Sequence, residues 1–303
     1  CKHGPTVAPC GECDACRALD QAEGSSAGSM IAFVNAVADE IAVDYPQVML
    51  HTFAYLYSRK PPRTLRPRKN VIVRLCDIEC CFSHAIGTCD QAIANIDVEQ
   101  GAARYFATSA HGFAEDLAAW SRRCQNLYIW DYTTNFSNYL QPFPNLRVLQ
   151  PNLRFFRRLG VKGVFEQGNY APGETSAFAP LKIYLLGKLL WNADADVEAL
   201  KTEFVEEYYG VRARLPVLEC LAMLEREAEK CHMGIFDPPT AGYLSEDVLG
   251  RADGLLAQAL DRTTDRAQRA RIRRERLGLR YALLVRLPMD APDRTQRIDA
   301  FGK

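Results

Sequence analysis

The stretch Asn126-Leu-Tyr-Ile-Trp-Asp-Tyr-Thr-Thr-Asn135 begins as a buried-strand pattern and runs directly into polar and aromatic residues. Two other stretches repeat this pattern, Asn70-Val-Ile-Val-Arg-Leu-Cys-Asp-Ile-Glu79 and Val161-Lys-Gly-Val-Phe-Glu-Gln-Gly-Asn-Tyr170. Apolar runs of about five residues that are rich in β-branched or aromatic side chains are typical of strands buried on both faces in parallel sheets. Carboxylates follow these strands, at Asp77 and Glu79, Asp131, and Glu166. Because the C-terminal strand ends of a β/α barrel form its catalytic face, these stretches predict where a site would lie.

Predicted helices alternate with these strands over the first two thirds of the chain. Residues 28–44 have the apolar spacing of an amphipathic helix, and a strand at 48–55 follows. Helices are predicted at about 102–124, 146–159 and 175–191, each after or before one of the quoted strands. We expect the four strands to lie parallel and adjacent in chain order. Four βα units make half of an eightfold barrel, so the predicted fold is α/β, the C-terminal half of a (β/α)8 TIM-type barrel.

The pattern changes after residue 192, where no further strand is predicted. Helices are expected at 197–209, 214–230 and 246–287, with a turn region marked by Pro238 and Pro239. The predicted domains are therefore a partial β/α barrel over residues 1–192 and an all-helical C-terminal region over residues 193–303. The arginine-rich segment 265–280 carries leucines at helical spacing, which favours a solvated helix face over contact with RNA or membrane.

Composition is that of a globular enzyme-sized chain. The 303 residues are 48% hydrophobic and 24% charged, and the formal net charge is zero, so nucleic acid is not an expected partner. No apolar run reaches the roughly 18 residues of a membrane span, and we expect no membrane insertion. Because the chain begins at Cys1 rather than at a methionine, we expect a fragment or processed form.

Eleven cysteines form two groups in the first third of the chain and scatter after it. The Cys10-x-x-Cys13-x-x-Cys16 spacing suits tetrahedral ligation of zinc, with Cys1, His3 or a cysteine of the second group as fourth ligand. Disulfides in a secreted protein or buried thiols are the alternatives, and a catalytic thiol is the least favoured. The residues predicted to bind metal or form disulfides are Cys1, Cys10, Cys13, Cys16, Cys80, Cys81 and Cys89.

Paired carboxylates next to aromatic rings predict carbohydrate chemistry. Cleavage of a glycosidic bond needs one carboxyl group that protonates the leaving oxygen and another that activates water or attacks the sugar. Asp131 and Glu166 are the predicted catalytic pair, and each has a structural alternative. Glu166 could form a buried salt bridge with an arginine such as Arg74, and Asp131 could cap the loop that follows it.

Further residues are predicted to contact a sugar or to assist. Aromatic rings stack on apolar sugar faces, and an arginine would suit a uronic-acid carboxylate. Asp77, Glu79 and His51 are secondary candidates, because Asp77 and Glu79 share strand parity and a lone strand histidine is more often a core residue. Ordinary core or rim packing is the alternative for the aromatic residues. The predicted substrate-binding residues are Trp130, Tyr132, Asn135, Tyr55, Arg74 and Gln167.

A set of short motifs resembles a known bacterial family. In chain order the motifs are Cys13-Asp-Ala-Cys16, Phe33-Val-Asn35, Ala54-Tyr55, Pro61-Pro62, Asn70-Val-Ile-Val73, Ile129-Trp-Asp-Tyr132, Asn135-Phe136, Pro142-Phe-Pro144, Gly163-Val-Phe-Glu-Gln-Gly168, Leu189-Leu-Trp-Asn192 and Tyr208-Tyr-Gly210. From residue 1 to about residue 225 they resemble the domain of unknown function 4838. That family looks like the C-terminal part of a glycoside hydrolase barrel, distantly similar to the family 67 α-glucuronidases and the family 20 β-hexosaminidases.

The resemblance implies a glycoside hydrolase that acts on a complex polysaccharide or glycan in the periplasm or outside the cell. It places the acid on an upstream strand end, with Asp131 or Glu166 as base or nucleophile, and it implies inversion, as in the α-glucuronidases. The expected partner is an oligosaccharide or polysaccharide. No cofactor is required, although a structural zinc could bind the cysteines. The alternatives are a carbohydrate-binding barrel without hydrolysis and a cysteine-based metal or redox module.

Overall fold

A computed structural model describes residues 13–89, 112–170, 176–287, 290–292 and 294–301. The described residues divide into two compact units. The first unit consists of those within Cys1–Cys80, Ile86–Tyr132 and Phe155–Gln167, and the second of those within Cys81–Ala85, Thr133–Arg154 and Gly168–Lys303. The chain is thus mixed α/β, and its sheet lies wholly in the first unit.

A four-stranded parallel sheet is the centre of the first unit. Its strands are β1 (Leu50–Ala54), β2 (Val71–Cys76), β3 (Leu127–Tyr132) and β4 (Gly163–Gln167), and they lie side by side in that order. Every neighbouring pair is parallel. The predicted strands and their order are therefore confirmed.

The two faces of this sheet differ in burial. Aliphatic side chains at alternate positions, such as Val73, Leu75 and Ile129, are completely buried on one face. On the other face Phe53 is 45% exposed and Phe165 is 44% exposed. The prediction of strands buried on both faces is therefore confirmed for β2, where Ile72 and Cys76 on this second face are also buried, and is wrong for β4.

Three helices belong to the first unit, α1 (Asp14–Glu23), α2 (Ala27–Asp44) and α3 (Phe113–Ser121). Helix α2 confirms the amphipathic pattern, and it packs on β1 and β2. Helix α1 was not expected, because the cysteines at its start suggested a ligand-binding loop. None of the described helices is by itself long and apolar enough to cross a membrane; α1 and α2 meet that test only together, as a pair bent by 107°.

The other helices follow the predicted positions closely. Helix α4 (Leu146–Arg158) is followed by Gly160, which has the left-handed φ of 74° expected where a helix terminates. Helices α7 and α8 pack against each other, as do α8 and α9. The later helices are α5 (Ala179–Trp191), α6 (Val197–Tyr209), α7 (Arg214–Glu229), α8 (Glu246–Arg262), α9 (Arg266–Arg286) and α10 (Arg294–Phe301).

The single helix predicted over residues 246–287 is wrong, because α8 and α9 are separate. The carboxylate of Asp265 accepts a hydrogen bond of 2.8 Å from the backbone N–H of Gln268, as a helix N-cap does. The hydroxyl of Thr263 donates to the carbonyl of Ala259 and so satisfies the end of α8. Apolar periodicity continues across this break, which is why it predicted one helix.

Candidate functional site

Three carboxylates form a row across the C-terminal ends of β2, β3 and β4. Asp131 and Glu166 are register partners on neighbouring strands. Asp77 follows the pair Cys76 and Trp130 by one position, and its N–H donates to the carbonyl of Trp130 at 3.3 Å. Neighbouring strands are about 4.8 Å apart and register partners share a face, so Asp77, Asp131 and Glu166 point to the same side of the sheet.

Asp77 is the member of this row whose charge is most strongly disfavoured. It is completely buried, and no described residue donates a hydrogen bond to either of its carboxylate oxygens. Burial, followed by the negative charges of Asp131 and Glu166, raises the pKa of Asp77 well above its usual range. The raised pKa favours the protonated form of Asp77, and that form can donate a hydrogen bond to Asp131.

Exposure to solvent increases along the row. Asp131 is only 5% exposed, and its Oδ1 accepts a hydrogen bond of 2.6 Å from the N–H of Tyr132. Glu166 is half-buried. Glu166 is therefore the carboxylate of the three that solvent or a ligand reaches most easily.

An aromatic cluster occupies the opposite face of the same strands. The ring of Trp130 lies 4.9 Å from that of Phe165 and 5.6 Å from that of Phe53, and it stacks on Tyr132 at 6.4 Å. Because side chains alternate along a strand, these rings point away from Asp131 and Glu166. The structure thus brings the predicted catalytic pair together, but on the other face from Trp130 and Tyr132.

Polar residues accompany the aromatic cluster. The guanidinium of Arg74 lies 5.9 Å from the ring centres of both Tyr128 and Trp130. The indole N–H of Trp130 donates to Oε1 of Gln167 at 2.5 Å. Arg74 shares this face and not that of Glu166, which argues against the alternative of a buried Arg74–Glu166 pair.

His51 and Tyr55 lie at the β1 edge of that face. The His51 ring is exposed and makes an edge contact with Tyr128 at 5.7 Å. Partial burial and the neighbouring Arg74 lower the pKa of His51, so it is neutral at physiological pH. Burial, followed by the thiol of Cys76, raises the pKa of Tyr55. Leu56 follows with a φ of 49°, a strained conformation for a branched side chain.

Glu79 takes part in a different arrangement. The Nη1 of Arg59 forms a buried salt bridge with Glu79, and its Nε donates to Oδ2 of Asp116 at 2.7 Å. All three side chains are almost fully buried. Glu79 is thus held by a cation, and Asp77 is not.

Asn135 lies in the second unit and is completely buried. Its side-chain amide donates to the carbonyl of Asp237 at 2.8 Å, and its Oδ1 accepts from the N–H of Asn138 at 2.8 Å. These bonds fasten the loop after β3 to a later segment of the same unit. The structure gives Asn135 an internal structural role.

A thiol and two imidazoles converge elsewhere in the second unit. Sγ of Cys81 lies 3.2 Å from Nδ1 of His84 and 3.4 Å from Nδ1 of His232. Burial raises the pKa of Cys81, but hydrogen bonds from Ser83, Met233 and His232 outweigh it and lower the pKa to about 6. These residues could hold a metal ion.

Among the described residues, Cys13, Cys16 and Cys80 belong to no such cluster. Cys1 and Cys10 lie outside the described part of the chain. Cys13 and Cys16 are buried at the start of α1, and Cys80 is buried next to Cys81. Unbridged thiols are present at Cys76, Cys81, Cys124, Cys220 and Cys231.

The first unit has a groove of about 340 Å³. None of the predicted site residues lines it. Its walls combine cationic and acidic side chains from the end of α1, from the loop after β1, and from α3 with the two residues that follow it. These residues are Glu23, Lys60, Arg63, Glu115, Asp116, Arg122 and Arg123.

Sequence reasoning missed or ranked low several of these residues. Asp77 was only a secondary candidate, because its position beside Asp131 depends on the register of β2 on β3, which the sequence does not give. Phe53 and Phe165 carried an available signal, since each alternates with buried strand positions. His232 carried no signal, because 150 residues separate it from Cys81 and no local motif joins them.

Comparison with known proteins identifies a family. Neither curated proteins nor solved structures gave a significant match. The family model described as domain of unknown function (DUF4838) matches residues 6–217, well over half of the chain. The chain therefore belongs to the DUF4838 family.

Proposed function

We propose that this chain supplies carboxylate acid/base chemistry for the hydrolysis of glycosidic bonds in a polysaccharide or glycan. The row of Asp77, Asp131 and Glu166 is the observation that carries this proposal. Its position at the C-terminal ends of parallel strands is where β/α barrels place catalytic groups. The proposal includes a half-barrel architecture, in which the four-stranded sheet is part of a (β/α)8 barrel.

Glycoside hydrolysis requires a protonated and an ionised carboxyl group, and in this proposal the row supplies the group that acts as base or nucleophile. Burial beside two carboxylates favours the protonated form of Asp77. Asp131 lies between the other two and can accept a hydrogen bond from that form. Glu166 is half-buried and is the group that we assign to contact with substrate.

Each residue then has a distinct role. Glu166 acts as the general base that takes a proton from water, or as the nucleophile. Asp131 and Asp77 are positioning residues, because their burial keeps them from the sugar. By resemblance to glycoside hydrolases, the group that protonates the leaving oxygen lies on another strand end, and the reaction inverts the anomeric centre.

The opposite face supports a second candidate function, carbohydrate binding without hydrolysis. Phe53, Trp130 and Phe165 form a partly exposed aromatic surface, and sugar rings stack on such surfaces. Arg74 and Gln167 beside it offer hydrogen bonds to hydroxyl or carboxylate groups.

We place the protein in the periplasm or outside the cell, where its polysaccharide would be. The unbridged thiols of Cys76, Cys124 and Cys220 are buried, and burial slows their oxidation in such a compartment.

Turnover of aryl glycosides tests the first function. Glu166→Gln removes a charge but little volume, so we expect the variant to fold and its kcat to fall about 100-fold to 10,000-fold. Glu40→Gln is the control, because Glu40 is exposed on α2 in the same unit. Unchanged turnover in the Glu166 variant would end its catalytic assignment.

Calorimetric titration with oligosaccharides separates the two functions. If the chain only binds carbohydrate, Trp130→Ala weakens binding, Glu166→Gln leaves it unchanged, and no aryl glycoside is cleaved. If it hydrolyses, the anomer of the first product, read by NMR, shows inversion or retention.

A further inference from the structure

We propose that Cys81, His84 and His232 form a zinc-binding site in the second unit. Their ligand atoms, one sulfur and two imidazole nitrogens, lie within 4.8 Å of one another. One thiolate and two imidazoles are a ligand set that zinc commonly takes. The site is independent of the carboxylate row and of the proposed glycosidase function.

The distances fit a tetrahedral metal ion. With Zn–S of about 2.3 Å and Zn–N of about 2.0–2.1 Å, tetrahedral angles place the sulfur and nitrogen ligands about 3.5 Å apart. The two Cys81–histidine separations are 3.2 and 3.4 Å. For these two sulfur–nitrogen pairs, a zinc ion therefore needs a shift of only a few tenths of an ångström.

The second nitrogen of His84 provides an independent observation. Nε2 lies 2.9 Å from the carbonyl oxygen of Glu229, and that oxygen can only accept a hydrogen bond. The proton must then be on Nε2, which leaves the lone pair of Nδ1 directed towards Cys81. Metal-binding histidines are oriented in this way, with the outer N–H donated to a carbonyl or carboxylate.

Backbone and hydroxyl hydrogen bonds hold the ligand-bearing segments together. The N–H of Phe82 donates to the carbonyl of Met233 at 2.8 Å, and the hydroxyl of Ser83 donates to the carbonyl of Cys231 at 2.5 Å. On one segment these bonds lie between Cys81 and His84, and on the other they lie on both sides of His232. The ligands are thus positioned before a metal binds, which reduces the entropic cost of binding.

Access and a further ligand are both available. His232 is exposed and His84 is half-buried, so an ion can reach the buried thiol from solvent. Three protein ligands leave a fourth position for water or for another side chain.

A catalytic thiol is the competing explanation for this cluster. It would need one histidine as base, and the cluster has two imidazole nitrogens facing one sulfur. Zinc binding accounts for both imidazoles, so the geometry favours it.

Zinc content and affinity test the proposal. The full chain, stripped with chelator, is titrated with zinc, and cobalt(II) then serves as a spectroscopic probe. We expect one zinc per chain, and a thiolate-to-cobalt charge-transfer band with the strong visible bands of a tetrahedral site. Loss of an outer-shell partner weakens metal binding about 10–100-fold. His232→Gln removes a direct ligand and should weaken zinc binding by more than that.

Cys231→Ser is the matched control, because Cys231 adjoins His232 in the sequence and lies outside the ligand group. It should keep the affinity and the charge-transfer band, whereas Cys81→Ser should lose the band. His232 is exposed, so its variant should remain folded by circular dichroism even if the Cys81 variant does not.

Two results would overturn the proposal. One is equal zinc affinity in the unaltered chain and the His232 variant, which would mean adventitious binding. The other is alkylation of Cys81 by iodoacetamide at the same rate with and without zinc, which would support a reactive thiol.

Discussion

Asp77 and Glu79 are both buried and lie two residues apart, but their surroundings are opposite. Glu79 forms a salt bridge with Arg59, which also binds Asp116. Asp77 faces two further carboxylates, and no described residue donates to its oxygens. A buried ion pair with a complete set of partners holds loops in place, whereas a buried acid beside like charges costs stability. The comparison therefore separates a buried carboxylate that is held by a cation from one that lies beside like charges.

Glu275 in the second unit is an intermediate case. It is buried and accepts hydrogen bonds from the N–H of Phe178 at 2.5 Å and the hydroxyl of Tyr209 at 2.8 Å. These donors are neutral, and burial outweighs them and raises its pKa to about 7. The buried carboxyl groups of Glu79, Glu275 and Asp77 thus have a cation, neutral donors and like charges, respectively, as neighbours.

The largest effect is expected from Arg59→Met. The variant leaves Glu79 and Asp116 buried without their cation, which should lower the free energy of unfolding by about 3–5 kcal/mol. Urea denaturation followed by circular dichroism measures it. A loss below about 1 kcal/mol would mean that the three side chains do not form the buried network described here.

Glu275→Gln should remove a pH-dependent change of about 3 kcal/mol in the free energy of unfolding. The folded pKa lies above the unfolded value, so the folded state binds more protons between pH about 4.5 and 7, and stability falls as pH rises through that range. The variant should lack this fall. Unfolding curves of both proteins at several pH values give the difference, and parallel pH profiles would contradict the raised pKa.

Asp77→Asn should change the free energy of unfolding only slightly at acid pH and should raise it, relative to the native protein, at higher pH. The amide resembles the protonated acid, so at about pH 5 we expect a change within about 1 kcal/mol. Because the folded pKa of Asp77 is raised, the native protein loses stability as pH rises towards that pKa, and the variant does not. A variant that is less stable than the native protein at all pH values would mean that Asp77 is ionised in the fold.

Arg68→Met should have the smallest effect. Arg68 and Asp39 form a bidentate pair with distances of 2.8–3.1 Å, and both are more than half exposed. Exposed pairs contribute about 0–1 kcal/mol, and salt screens them. The difference between the losses of unfolding free energy in the Arg59 and Arg68 variants measures how much burial adds to the importance of an ion pair. Equal losses in the two variants would remove the distinction between buried and exposed pairs.

Local sequence was enough to predict the strands and most helices. Runs such as Val71–Cys76 and Leu127–Tyr132 are apolar and β-branched or aromatic, and these properties are visible within the segment. Helix α1 and the break at Asp265 were missed for local reasons as well, because cysteine spacing suggested a loop and apolar periodicity suggested continuity. The cap at Asp265 leaves the spacing of the apolar residues unchanged, so that spacing alone does not show where one helix ends and the next begins.

The candidate sites depended on features that lie outside any one segment. That Asp77 stands level with Asp131 is set by the register of β2 on β3, and that His232 meets Cys81 is set by packing within the second unit. The opposite orientation of Trp130 and Asp131 follows from strand alternation alone. It was available from the sequence, and it limits any site that would use both.

The pairing of Asp131 with Glu166 depends on the length of the loop before β4, because that length sets the register of β4 on β3. Deleting one residue such as Lys162 would keep the composition of β4 nearly unchanged but shift its register by one. Phe165 or Gln167 would then stand beside Asp131, and Glu166 would join the aromatic side. Among relatives of this chain, insertions and deletions in that short loop should therefore occur in pairs, or be accompanied by replacement of the glutamate.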